Sequence, residues 1–135
     1  MEWMSAAAVF VGGGLGAVLR YYLERFLAPR RTSDALISAV FVINVLGSLT
    51  LGIVGAAVNV LGGQDAVAYA GLSLGLLGGF TTFSTAMVEA VQALLAGRYA
   101  RFVMLWLVQP TLSLLALITG YTAAAAVFLA VFSAR

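Results

Sequence analysis

Apolar residues run through this chain in four long blocks, about Met4–Leu27, Ala35–Leu61, Ala66–Ala96 and Phe102–Phe132. Each exceeds the roughly 20 residues that a helix needs to cross the hydrocarbon core of a bilayer. The polar breaks between them are short. ERFLAPRRTSD holds Pro29 and three arginines, GGQD is a tight polar turn, and GRYAR is a basic one. This pattern predicts an all-α integral membrane protein, residues 1–135 forming a single domain with four transmembrane helices. So little chain remains outside the bilayer that function must lie within it.

The polar residues inside the blocks are therefore the informative ones. The third block carries GLLGGFTTFSTAMVEA, Gly75 to Ala90. Gly78 and Gly79 weaken a helix there, and Thr81, Thr82, Ser84 and Thr85 can satisfy backbone groups that a break would free. Non-helical backbone survives at membrane depth only when buried in protein or lining a polar cavity. An interruption is expected over residues 78–85, so that the third helix is broken near the bilayer centre. The alternative is a packing surface of small residues whose hydroxyls bond back to the preceding turn. Glu89 follows about two turns later, roughly 10 Å nearer the interface, either hydrated at the membrane edge or facing a vestibule.

The other blocks carry stripes of their own. GGGLGAVLRYY in the first places Gly12 and Gly16 in a G-x-x-x-G pair that admits a second backbone. Arg20 falls near the far interface, as a snorkelling arginine or as a cation at the mouth of an anion path. Asn44, Ser48 and Gly52 share one face of the second block; the Asn44 amide is either interhelical glue or a pore-lining donor. Gly71, Gly75 and Gly79 make a smooth stripe in the third. The fourth aligns Gln109, Ser113, Leu117 and Tyr121, with Pro110 expected to kink the helix. Four helices cannot both bury their side chains and wall off a water-filled pore. The small-residue stripes therefore predict association beyond the monomer, a dimer at least.

Composition narrows the class. With 63% hydrophobic and 9% charged residues and a mean hydropathy of +1.08, a soluble domain is excluded. The chain has no cysteine and no histidine, which removes disulfides, thiolate metal sites, haem ligation and histidine acid–base chemistry. An enzyme is a poor fit. Glu2 stands where a signal peptide wants positive charge, so the first block is expected to stay in the mature protein. The net charge of +2 bears on topology. Arg25, Arg30, Arg31, Arg98 and Arg101 fall on the side reached after the first span, with Arg20 near it, against Arg135 alone on the other. By the positive-inside rule that side is cytoplasmic and both termini lie outside.

Taken in order on successive blocks, GGGLGAVLRY, INVLGS and GGFTTFST resemble the Fluc (CrcB-type) fluoride channels, and the likeness covers essentially the whole chain. The resemblance implies a passive fluoride channel of a prokaryotic plasma membrane that relieves fluoride toxicity. It implies a dual-topology, antiparallel dimer with two fluoride pores and a structural sodium ion at its centre, held by backbone carbonyls at the break in the third helix. Those carbonyls correspond to Gly78 and Thr81. Asn44 matches the pore asparagine, Phe83 the first of two phenylalanines whose ring edges face the fluoride path, Ser84 and Thr85 the hydroxyls around it, and Ser113 the serine of the fourth helix. Arg20 and Glu89 match the charged residues near the pore ends. The chain departs from the pattern at three places: Ala86 replaces the second phenylalanine, Leu117 replaces a hydroxyl one turn after Ser113, and Gln109 replaces an asparagine common one turn before it.

These residue types suit the ion. Fluoride is small and tightly hydrated, so a dry path must replace its water with N–H and O–H donors, which Asn44, Ser84, Thr85 and Ser113 supply. A phenyl ring has a positive edge, so Phe83 can offer C–H groups without a charge that would trap the anion. Carbonyls freed by a break suit a hard cation. Two rivals are a small four-helix, proton-coupled exporter and a non-conducting assembly subunit. The exporter needs a titratable carboxylate within the membrane, for which only Glu89 qualifies, off-centre; the subunit leaves the polar stretch unexplained. The arginine bias suggests a strongly oriented chain whose antiparallel mate is a closely related subunit of opposite bias; the alternative is self-pairing of inverted copies.

Overall fold

A computed structural model describes residues 2–27, 36–61 and 66–133. Arg30, Arg31 and Arg135, on which part of the topology argument rests, lie outside them. Four helical runs are long and apolar enough to cross a membrane, and among the described residues there is no strand. The first is α1 (Glu2–Leu27) and the second α2 (Ala39–Leu61). The third block divides into α3, residues 66–80 with wider π-type turns over Gly71–Leu77, and α4 (Phe83–Leu95). The fourth is α5, residues 99–133, which also takes π-type turns, over Met104–Val108.

Between α3 and α4 the backbone is extended at Thr81 (φ −84°, ψ 152°) and Thr82 (φ −149°, ψ 119°). These two residues are a much shorter departure than the stretch 78–85, because Gly78–Phe80 and the residues from Phe83 onward keep helical geometry. A tight turn then joins α4 to α5. Gly97 adopts φ 71°, Arg98 donates its N–H to the Ala93 carbonyl at 2.8 Å, and Gly97 to that of Leu94 at 3.0 Å. This is the left-handed C-cap that glycine makes at no steric cost.

The glycine stripes fix the packing of α1. Only Gly12 and Gly16 are buried on that helix. A Cβ on Gly12 would collide with the Gly71 carbonyl oxygen and lie 2.9 Å from the Leu76 nitrogen. One on Gly16 would strike the Leu76 carbonyl, and one on Gly79 the Gly13 carbonyl. Backbone therefore lies directly against backbone along the α1/α3 seam. The stripes expected to join one subunit to another are consumed inside this one, and they carry no argument for a dimer.

The α2 helix is the centre of the subunit. It packs along α5, where Gly52 meets the backbone of Leu117 and Tyr121, and Gly120 that of Leu49. At its N-terminal end Phe41 joins Ala90 and Leu105 in a small core, flanked by Val45, Phe102, Met104 and Val108. Ala86, Ala90 and Ala93 recur along the inner face of α4, all at 1% exposure or less. Small side chains there let α4 lie close beneath α2 and α5, which brings the two extended threonines against the α2 stripe.

Candidate functional site

The site is organised by Asn44. Its Nδ2 donates to the Thr82 carbonyl at 2.7 Å, and its Oδ1 accepts the Thr82 N–H at 2.8 Å. Both partners are buried, at 7% and 9% exposure. A carboxamide has the donor–acceptor layout of a peptide group, so Asn44 pairs with Thr82 as a neighbouring strand would. The Thr82 side chain caps α4: its Oγ1 accepts the Thr85 N–H at 3.4 Å and lies 3.1 Å from Thr85 Oγ1 and 3.3 Å from Ser84 Oγ. This residue thus satisfies the backbone on both sides of the extension, which the sequence reading credited to the hydroxyl cluster without singling it out.

Beside this pair is a cavity of about 220 Å³ lined by Asn44, Ser48, Thr81, Thr82, Phe83, Gln109, Pro110 and Ser113. Polar groups face it from three elements. Gln109 is 98% buried, being 2% exposed, yet its Oε1 has no hydrogen-bond partner, and Ser113 Oγ is buried and unpartnered as well. A buried polar atom left unpaired costs about 1–3 kcal/mol, so this cavity is built for a polar guest. Phe83 stands at its rim with 64% of its surface exposed. The wide turns before Gln109 fit this arrangement. Pro110 has no N–H to give the preceding turn, and the Gln109 N–H reaches back five residues to the Met104 carbonyl.

A second cavity of about 460 Å³ continues along the same groove, lined among others by Gly52, Asn59, Ser73, Gly78, Thr81, Leu117 and Tyr121. Thr81 borders both. The polar stripes therefore divide between them: Asn44 and Ser48 with Gln109 and Ser113 on one side, Gly52 with Leu117 and Tyr121 on the other. Asn59 Nδ2 donates to the Tyr121 hydroxyl at 3.1 Å in the second.

The residues picked out from the sequence are brought together in part. Asn44, Phe83 and Ser113 meet at the first cavity, and Gly78 and Thr81 at the second. Ser84 and Thr85 line neither; they reach the site through their hydroxyl contacts with Thr82. Arg20 lies 3.9 Å from Glu24 on its own helix, and Glu89 lies 3.6 Å from Arg101 Nη2 across the α4/α5 turn, with side chains 24% and 16% exposed. Glu89 therefore faces a cation. Arg101 carried no signal for this role, since only the Gly97 turn brings it under α4.

The carbonyls of Gly78 and Thr81 lose their regular helical donors at the extension. In an unbroken helix the Gly78 carbonyl would receive the Thr82 N–H and the Thr81 carbonyl the Thr85 N–H. Those donors go instead to Asn44 Oδ1 and to Thr82 Oγ1. Two hard carbonyl oxygens are left without their helical donors, the ligand type a hard cation takes.

Four apolar helices beside an open groove with unpartnered polar groups define a multi-pass helical membrane protein. The sequence profile described as "CrcB-like protein, Camphor Resistance (CrcB)" matches residues 7–121, and the chain belongs to that family. Similar proteins include "Fluoride-specific ion channel FluC" of Methylobacterium nodulans, 37% identical over 97 residues, 72% of this chain and 77% of that one. "Fluoride-specific ion channel FluC 2" of Cutibacterium acnes is 43% identical over 91 residues, covering 67% and 72% of the two chains. "Fluoride-specific ion channel FluC 1" of Corynebacterium jeikeium is 42% identical over 92 residues, 61% and 65%. The family read from the three motifs is the one these comparisons give.

Proposed function

We propose that this protein is a fluoride channel that lets fluoride leave the cytoplasm passively across the plasma membrane, relieving its toxicity. The observation that carries the reading is the first cavity. It offers the Ser113 hydroxyl without a competing partner, with the Asn44 carboxamide on its wall and the ring of Phe83 at its rim, in a chain whose relatives are named for fluoride. Hydroxyl and amide hydrogens replace the ion's hydration shell, and the ring edge adds weak positive charge. None of these groups is a formal cation. An anion is thus held firmly enough to enter and loosely enough to leave. No bond is made or broken, so the protein is not an enzyme. The competing proton-coupled exporter requires a carboxylate near the middle of the path, whereas Glu89 lies off-centre, beside Arg101.

The working unit is an antiparallel dimer, with itself or with a closely related subunit. Phe83 and Gly78 are both exposed on one subunit, and four helices leave the groove open, so a second chain would complete the walls. A sodium ion would be held by the Gly78 and Thr81 carbonyls with the same pair from the mate, supplying fixed positive charge that ties the halves together. Arg20 and Glu89, which in one subunit both lie toward the end of the α4/α5 turn, would be the charged residues near a pore end.

Reconstitution into liposomes with a fluoride electrode tests the function. The wild-type protein should release fluoride without a proton gradient, and Phe83→Ile, which keeps apolar bulk but removes the ring edge, should slow release by about ten-fold or more, a rise of roughly 1.4 kcal/mol in the barrier. Unchanged flux in a folded Phe83→Ile protein would show that the path runs elsewhere.

A further inference from the structure

Asn44 and Thr82 do more than line a cavity, and the two backbone donors they capture are the key. The Thr82 N–H is taken by Asn44 Oδ1, and the Thr85 N–H by Thr82 Oγ1. In a regular helix these would close on the carbonyls of Gly78 and Thr81. Two side chains therefore remove the helical donors of the same two oxygens that the proposed cation site uses. The third contact, from Asn44 Nδ2 to the Thr82 carbonyl, holds the peptide in its extended setting.

The arrangement is reversible in principle. Thr82 is buried, and its N–H loses its partner if Asn44 is lost. The nearest way to satisfy it is to return it to Gly78 and resume the helix, because an unpaired donor is costly in an apolar surround. We infer that Asn44 and Thr82 are positioning residues for the cation site: they keep the Gly78 and Thr81 carbonyls open, and through Asn44 they link the cation site to the anion cavity. This rests on the cation reading given above. The anion path and the cation site then share one side chain, so a change at Asn44 reaches both. Thr82, which lines the anion cavity but is not one of the proposed cation ligands, governs the cation site through its hydroxyl.

The test measures sodium binding to the purified dimer in fluoride-free detergent, at constant ionic strength with an organic cation as replacement. Half-saturating sodium is read from radioactive sodium binding and from the sodium dependence of the thermal midpoint. Asn44→Leu and Thr82→Val keep shape and lose the captured hydrogen bonds; each should raise half-saturating sodium by about ten-fold or more, the equivalent of one lost hydrogen bond. Thr82→Ser keeps the hydroxyl and should stay within about two-fold of wild type. A merely structural role would lower the thermal midpoint equally at every sodium concentration and leave half-saturation unmoved, which would overturn the inference. If Asn44→Leu does not fold, Thr82→Val decides alone. Wild-type protein that binds no sodium would remove the cation reading itself, whereas sodium binding shared equally by wild type and both variants would remove only the positioning role.

Discussion

The α1/α3 seam and the α2/α5 groove begin from the same kind of sequence and end as opposites. Both are marked by small residues that recur on one helix face: Gly12 and Gly16 against Gly71, Gly75 and Gly79 in one, Ser48 and Gly52 against Ser113 and Gly120 in the other. In the seam the glycines press on facing backbone, including that of Val9, Leu76 and Phe80, and the helices close with no space for a methyl group. In the groove glycine alternates with Asn44, Ser48, Gln109 and Tyr121, so the backbones touch at Gly52 and Gly120 and the cavities open beside that contact. Small residues thus set how near two helices can come, and the polar residues between them decide whether the gap is filled or used.

The largest way to break this contrast is to widen the seam. Gly16→Ala would push a methyl group into the backbone at Leu76 and Phe80, and neither can rotate away. We expect a loss of about 3 kcal/mol or more, seen as failure to recover monodisperse protein on size exclusion. Next in size is Ala86→Phe, which restores the aromatic pattern of the family at a fully buried position. Overpacking there should cost about 1–3 kcal/mol, and the thermal midpoint should fall without any gain in fluoride flux. Glu89→Gln removes the ion pair with the partly buried Arg101 and should cost about 1 kcal/mol or less, most evident as lower protection of the α4/α5 turn in hydrogen exchange. Smallest, and opposite in sign, is Gly14→Ala. Gly14 lies between the two seam glycines but faces open space, so a methyl group should stabilise α1 by roughly 0.5 kcal/mol. A fall in midpoint comparable to that of Gly16→Ala would show that the seam is wider than two glycines.

Much of this was written in the chain. Block lengths above a membrane crossing, and breaks of a few polar residues, were enough for four spans. The stripes Asn44–Ser48–Gly52 and Gln109–Ser113–Leu117–Tyr121 predicted which faces are polar, and these are the faces of the groove. The partners of those stripes were not legible. A glycine stripe reads the same whether its mate is another helix of the chain or a second subunit, so the seam was assigned outward. Ala86 looked like a lost pore residue, and its burial follows from the facing residues of α2 and α5, far away in sequence. Thr82 was one hydroxyl in a cluster of four until Asn44, 38 positions earlier, was found against both sides of its peptide.

The glycine seam also constrains how the molecule is made. Its two halves belong to the first and third spans, so Gly16 leaves the ribosome some sixty residues ahead of Gly79. At roughly 5–20 residues per second that interval lasts several seconds. Throughout it α1 has no glycine partner, and the second span must be threaded and moved aside before the third arrives. The newborn first span is therefore a client for whatever shelters unpaired helices at the insertion site, and its dependence on that shelter ends when Gly71, Gly75 and Gly79 emerge.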